Sequence, residues 1–280
     1  MIFVAGIFLV YNWRNIEEIE EYVPEYVSRI AERERFLREL EIARSVQQKF
    51  LPQKSPDIKD IDVAGMCIPA MEVGGDYYDF IELDEERLGV VIGDVSGKGI
   101  SAAFYMTMVK GIVKSLCSKS LSPGDTLKRM NRIFYENVPR NVFISLIYGI
   151  FDLRKREFSF ARAGHTAVII RKKGKEKPDF LFPPGIALGL ERGDIFSSVI
   201  EEKILEISSG DVFVFYTDGV SETVNTRGEE FGEERLGEII SQISHKRADE
   251  IINLIKNKIK EFSIINAQRD DITLVVVKIM

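Results

Sequence analysis

The sequence predicts an α+β fold, two packed antiparallel sheets with helices outside, preceded by a helical extension. Three observations carry this. Short apolar runs bounded by Gly, Pro, Asp or charged residues recur between Ile61 and Leu205 and again at Val212 and Leu274, as strands do. Helical periodicity is confined to two clusters, after Gly99 and after Phe231, so strands dominate between them. Heptad spacing occupies the stretch before Phe50.

The 280-residue length suits one large domain plus an extension, and a hydrophobic fraction of 45% fills a sizeable core. With a net charge of −6 and no basic block interleaved with aromatics, nucleic acid is excluded as a direct partner, and a protein partner is expected. Cys67 and Cys117 sit in apolar surroundings without metal-ligand spacing, which fits free thiols in the cytoplasm.

Residues 1–15 are apolar and uncharged as far as Tyr11, too short to span a bilayer, where about 20 residues are needed. Trp13 and Arg14 follow, as at the cytoplasmic end of a membrane helix, so the segment reads as the tail of a membrane tether or as an apolar start that packs on protein. Residues 16–52 form a helical linker. Ile16, Ile19, Val23, Tyr26, Ile30, Leu37 and Leu40 follow heptad spacing with Arg33 as the break, and Pro24 starts a fresh helix reaching about Phe50. Such a pattern makes either a coiled coil joining two copies or an amphipathic helix on its own domain.

Residues 53–280 form the main domain. Ile61–Ile68 is its first strand, and Phe80–Leu83 and Leu88–Ile92 form a hairpin across Asp84-Glu85-Glu86. Ile100–Ser118 is a core helix with Phe104, Met108, Ile112 and Leu116 on one face, and Thr126–Asn137 is a second helix. Val142–Phe151 pairs with Glu157–Ala163, and Ala167–Arg171 with Phe180–Phe182, the basic Lys172-Lys173-Gly174-Lys175 being a solvated turn. Strands follow at Ser197–Leu205 and Val212–Thr217, then helices at Glu234–Ile243 and Ala248–Phe262, then the final strand.

The hairpin brings its ends together, so Asp76 before its first strand and Asp94 at the close of its second reach one sheet edge. The apolar run Val212–Thr217 stops on Asp218-Gly219, and Asp270-Asp271 opens the last strand. If those two strands are antiparallel, Asp270 joins Asp218 at the same edge. Four ionised carboxylates in one place repel each other, and bound cations relieve that. An all-oxygen donor set points to magnesium or manganese. Strand alternation puts Asp79 on the face opposite Asp76, as structural support. Any single Asp also has a plain reading as a turn cap.

Gly74-Gly75-Asp76-Tyr77-Tyr78-Asp79, Gly93-Asp94-Val95-Ser96-Gly97-Lys98-Gly99, Ala163-Gly164-His165, Thr217-Asp218-Gly219 and Asp270-Asp271-Ile272-Thr273 occur in the order of the motifs of a known family. The sequence resembles the SpoIIE/RsbU branch of the metal-dependent, type 2C-like (PPM) protein serine/threonine phosphatases. Glu41–Pro52 is similar to the helix that enters that domain, and the resemblance runs from about Glu39 to Met280. It implies a four-layer αββα sandwich and hydrolysis of phosphoserine or phosphothreonine in a protein such as an anti-anti-sigma (STAS) regulator, with two Mn2+ or Mg2+ ions. By the same resemblance Asp94 bridges both ions, the Val95 carbonyl binds one, Asp218 and Asp270 hold the other, and Asp76 acts directly or through water. Asp271 orients its neighbour or exchanges roles with it.

Departures from the family pattern matter. Thr166-Ala167 follow His165 where prolines usually stand, so His165 is either a donor to the phosphate or leaving group or a structural loop residue. No arginine precedes the first acidic motif in Ile68-Pro69-Ala70-Met71-Glu72, which leaves Lys98 and Arg162 as candidates for phosphate capture. Gly93 to Gly99 does not have P-loop spacing, and two histidines cannot make a zinc cluster. The competing reading from another class is a non-catalytic dimeric adaptor that keeps the fold for partner binding.

Overall fold

The computed structural model describes residues 27–117, 121–263 and 268–280. The chain divides into two units, one ending at Val46 and the other running from Gln47 to Met280. Helix α1 covers residues 27–50. The apolar segment 1–15 and the heptad positions Ile16, Ile19, Val23 and Tyr26 lie outside the described residues.

Within Gln47–Met280 the described strands form two five-stranded sheets, antiparallel throughout. One runs β1 (Ile61–Ile68), β10 (Ile272–Ile279), β9 (Val212–Tyr216), β6 (Val168–Arg171), β7 (Asp179–Leu181). The other runs β2 (Tyr77–Asp84), β3 (Arg87–Val95), β4 (Ile144–Asp152), β5 (Glu157–Ala163), β8 (Glu202–Glu206).

Alternation along the strands builds the layers. Phe213, Phe215, Val275 and Val277 point between the sheets to meet Ile92, Ile147 and Phe158, while Val214, Tyr216, Leu274 and Val276 point outward. Outside that second set lie α6 (Glu233–Ile243) and α7 (Ala248–Ser263), with Leu236, Ile251 and Ile255 buried against it. On the other side α2 (Ile100–Cys117) and α3 (Pro123–Asn137) bury Met106, Val109, Met130 and Phe134 against Tyr77, Val91 and Val95. The order is therefore helix, sheet, sheet, helix, the expected αββα sandwich. The ring of Phe158 stands 5.1 Å from that of Phe213 across the two sheets. Edge-to-face pairs of this kind add roughly 0.5–1.5 kcal/mol beyond their buried area.

Three local readings are corrected. Phe104, assigned to the buried face of α2, is exposed, whereas Ile112 and Leu116 of that face are buried, together with Ala102, Met106, Val109 and Val113. Steps of four residues drift about 40° each around a helix, so the row from Phe104 to Leu116 crosses from solvent to core. The strand expected at Ser197–Leu205 starts only at Glu202, because α4 (Asp194–Val199) comes first. Phe196 and Ile200 are both buried at a helical spacing of four, and the Glu191 carboxylate accepts the N–H groups of Gly193 (2.8 Å) and Phe196 (2.9 Å) at the start of that turn. Asp218-Gly219 is not a bare turn but opens the short helix α5 (Asp218–Ser221).

Among the described residues α2 is the helix long and apolar enough to cross a membrane, yet its stripe from Ala102 to Leu116 packs into the core.

Candidate metal centre

Register decides which acids meet. Tyr77 pairs with Gly93, so the next step along the hairpin sets Asp76 beside Asp94. In the other sheet Leu274 pairs with Tyr216 in an antiparallel ladder, and Thr217 N–H donates to the Thr273 carbonyl at 3.1 Å. That brings the residues just beyond, Asp218 and Asp270, to one end of the sheet. The two ends face each other across the sandwich.

Hydrogen bonds lock the arrangement. The Asp76 carboxylate is 2% exposed and accepts from Thr217 Oγ1 (2.8 Å) and Thr273 Oγ1 (2.6 Å), both in the opposite sheet. Asp271 holds the loop that carries Asp76: its oxygens accept Ala70 N–H (2.8 Å), Gly75 N–H (2.7 Å) and Asp76 N–H (3.3 Å). It is thereby turned away from Asp270, whose carboxylate takes Lys98 Nζ at 2.7 Å and the Asp271 N–H at 3.0 Å. The amide of Gln47 grips the same loop from both sides, donating to the Gly74 carbonyl (2.7 Å) and accepting from its N–H (3.1 Å).

Two glycines make the close approaches possible. A Cβ on Gly75 would stand 2.8 Å from the Val95 carbonyl oxygen and 3.3 Å from Asp94 Oδ1, and one on Gly219 would stand 2.0 Å from the Asp271 carbonyl. A side chain at Gly75 would fill the space beside the Val95 carbonyl and Asp94 carboxylate.

The electrostatics follow from crowding. Burial, then the carboxylates of Asp218, Asp270 and Asp271, raise the pKa of Asp94 to about 7. Burial and Asp270 raise that of Asp218, and burial and Asp94 raise that of Asp76 against the lowering effect of the threonine hydroxyls. Glu222, just past α5, is also raised, by burial, Asp218 and Glu230. As the side chains stand, no three His, Cys, Asp or Glu among the described residues form a group that could hold an ion. The donor set nevertheless fits a hard divalent cation: oxygen atoms only, excess negative charge, and a glycine at 75 whose missing side chain leaves the Val95 carbonyl and Asp94 carboxylate uncovered.

The other sequence candidates separate. Asp79 faces α2, where Lys110 Nζ (2.9 Å), Lys114 Nζ (3.3 Å) and Tyr77 Oη (3.0 Å) surround it. Arg162 is turned to the backbone, donating to the carbonyls of Pro183 (3.0 Å) and His165, which leaves Lys98 as the cation among the acids. His165 is 5% exposed, its Nδ1 lies 2.7 Å from Ser145 Oγ, and burial, then Arg162, lowers its pKa to about 3. The ring is therefore enclosed and held neutral, with one nitrogen engaged by Ser145. Sequence reasoning missed Gln47, Thr217, Thr273 and Glu222. Both threonines stand inside quoted motifs, and Gln47 lies in the quoted helix Glu41–Pro52, but nothing in their spacing announces a bond to the Asp76 loop.

Comparison with known proteins gives the same direction. Residues 84–280 match the family model described as Stage II sporulation protein E (SpoIIE). Phosphoserine phosphatase RsbU of Bacillus subtilis is 31% identical over 244 residues, covering 86% of this chain and 70% of that protein. The SiaA-PP2C domain of Pseudomonas aeruginosa superposes with a TM-score of 0.79 at 19% identity, over 89% of this chain and 98% of that one. RsbX, solved in complex with magnesium, superposes at 0.60 and 16% identity, over 81% and 99%. The two structural matches share the fold; the family match extends over most of the residues described above, and on that ground the chain belongs to the SpoIIE family.

Proposed function

We propose that this SpoIIE-family protein serine phosphatase removes phosphate from a phosphoprotein, a STAS-domain anti-anti-sigma regulator, by means of a water activated between two divalent cations, Mn2+ or Mg2+. The observation that carries the reading is the meeting of the Asp76–Asp94 hairpin end with the Asp218–Asp270 end of the other sheet, tied by the Asp76 bonds to Thr217 and Thr273, where burial and then Asp218, Asp270 and Asp271 push the Asp94 carboxyl up to about 7. Uncatalysed phosphomonoester hydrolysis is very slow, so a site must supply a nucleophile and offset charge on the phosphoryl oxygens. Divalent cations held by these acids would supply both, lowering the pKa of a bound water toward neutrality.

The residues divide the work. Asp94 would lie between the ion positions, with the Val95 carbonyl beside the first and Asp218 and Asp270 at the second. Asp76, its carboxylate oriented by Thr217 and Thr273, would reach an ion directly or through a water. Lys98 offers an ammonium to the phosphoryl oxygens. Asp271 stays a backbone anchor for the Gly75-Asp76 loop.

The same reading makes the chain a homodimer through the helical linker, since Val27, Ile30 and Leu37 leave apolar side chains exposed on α1. It places the enzyme in the cytoplasm, with 1–15 as a tether. The test is direct: with Mn2+, the purified chain should release phosphate from a phosphoserine STAS protein, and Asp94→Asn should abolish turnover. Equal turnover in the variant sinks the reading.

A further inference from the structure

The two halves of the acid cluster belong to different sheets, so something must set their separation. The chain itself crosses between the sheets close by. It leaves β5, in the sheet of Asp94, at Ala163 and enters β6, beside β9 in the sheet of Asp218, at Val168. The crossover, residues 164–167, is tied to both acid-bearing sides. On one side His165 Nδ1 meets Ser145 Oγ at 2.7 Å, and Ser145 is the residue directly opposite Asp94 in the β3–β4 ladder. Residues directly opposite share a face of the sheet, so the Ser145 hydroxyl and the Asp94 carboxylate project to the same side. On the other side Thr166 Oγ1 donates to the carbonyl of Tyr216, two residues before Asp218.

His165 is enclosed more than such a bond requires. Its own carbonyl is held by Arg162, the ring is 5% exposed, and Nε2 is buried without a hydrogen-bond partner. The imidazole also lies close enough to feel the Tyr216 carbonyl. Leaving a ring nitrogen unsatisfied in a buried place is a cost, one that an apolar side chain would avoid. What an apolar side chain would lose is the bond to Ser145.

We infer that His165 and Ser145 are a positioning pair that fixes the spacing of Asp94 relative to Asp218 and so sets the affinity of the acid cluster for divalent cations. The inference rests on the two-cation reading above. Neither residue touches substrate; both act through the strand that carries Asp94.

The test is calorimetric Mn2+ titration of the full chain, with thermal unfolding as a check on the fold, for Ser145→Ala, His165→Ala and His165→Asn. Loss of a group that orients a metal ligand typically weakens affinity about 10- to 100-fold. Ser145→Ala, a small change in a half-buried site, and His165→Ala should each fall in that range, with the double variant no weaker than either alone. Asn places an amide near the Nδ1 position, so His165→Asn should recover binding to within about threefold. Ser145→Ala with undiminished Mn2+ affinity overturns the inference, even where His165→Ala does not fold. So does a His165→Asn variant as weak as His165→Ala, since packing volume alone would then explain the residue. A parent chain that binds no Mn2+ overturns the two-cation reading and this inference with it.

Discussion

Lys98 holds its ammonium nitrogen 2.7 Å from Asp270 Oδ2 and 2.7 Å from the Arg269 carbonyl oxygen. The side chains are 54% and 43% exposed. The pair therefore places an internal cation at the solvent edge of the acid cluster, where it partly offsets the charge that raises the Asp94 pKa.

Replacing Lys98 by Met removes that competitor. Mn2+ should bind more tightly, by no more than about fivefold, since an exposed pair is worth at most about 1 kcal/mol. KM for a phosphoserine protein should rise in the same variant if the ammonium also meets the phosphate. Calorimetry and steady-state kinetics check the two halves separately, and weaker Mn2+ binding would show that Lys98 supports the site instead of competing for it.

Asp94 makes stability depend on pH. Its pKa rises from 3.8 to about 7 on folding, so between those values the folded chain keeps a proton that the unfolded chain has lost. This contribution is complete below the unfolded value and disappears as pH climbs through the folded one. In EDTA the unfolding midpoint should therefore fall as pH rises from about 4 to 7 because of this group, and Asp94→Asn should flatten that part of the profile. Added Mn2+ should restore stability at pH 8, where the carboxylate is ionised and free to bind it. An Asp94→Asn profile as steep as the parent's removes Asp94 as the cause.

Asp79 should be a stability residue and not a turnover residue. Removing a nearly buried carboxylate leaves Lys110 and the Tyr77 hydroxyl without their partner, and breaking such a pair costs about 3–5 kcal/mol. Urea unfolding of Asp79→Ala should lose stability of that order. The fraction that remains folded should bind Mn2+ within about threefold of the parent, since the carboxylate faces α2 and not the acid cluster.

Gly75 and Gly111 should respond oppositely to alanine. At Gly75 the new methyl meets the Val95 carbonyl at 2.8 Å, so Mn2+ affinity should drop at least about tenfold. At Gly111, exposed within α2, a Cβ meets nothing within 4 Å, and the substitution should stabilise by about 0.5–1 kcal/mol. Thermal unfolding and metal titration distinguish the two, and a Gly75→Ala chain that binds Mn2+ normally would remove the Val95 carbonyl from the site.

The strands and the acids were legible because both leave periodic marks: Asp94 and Asp218 each end an apolar run, and antiparallel register then dictates which acids share an edge. Local alternation also assigned Asp79 to the face away from Asp76. What could not be read is whatever depends on contacts between distant segments. Nothing in Asp270-Asp271 says which carboxylate points outward; three backbone N–H groups from residues 70–76 decide it. Arg162 offered itself as a phosphate ligand, but its guanidinium donates to the carbonyls of Pro183 and His165. The strand proposed at Ser197–Leu205 failed because Phe196 and Ile200 fit a helical stripe equally well, and only the core beneath them chooses.

Asp76 is joined to one sheet by its own chain and to the other by two threonine hydroxyls. Fraying of either layer would pull that carboxylate out of place before the remaining layer had melted. Loss of catalysis on heating should consequently track the first loosening between the layers, which makes enzymatic turnover a more sensitive gauge of a sound sandwich than any spectroscopic average over its strands.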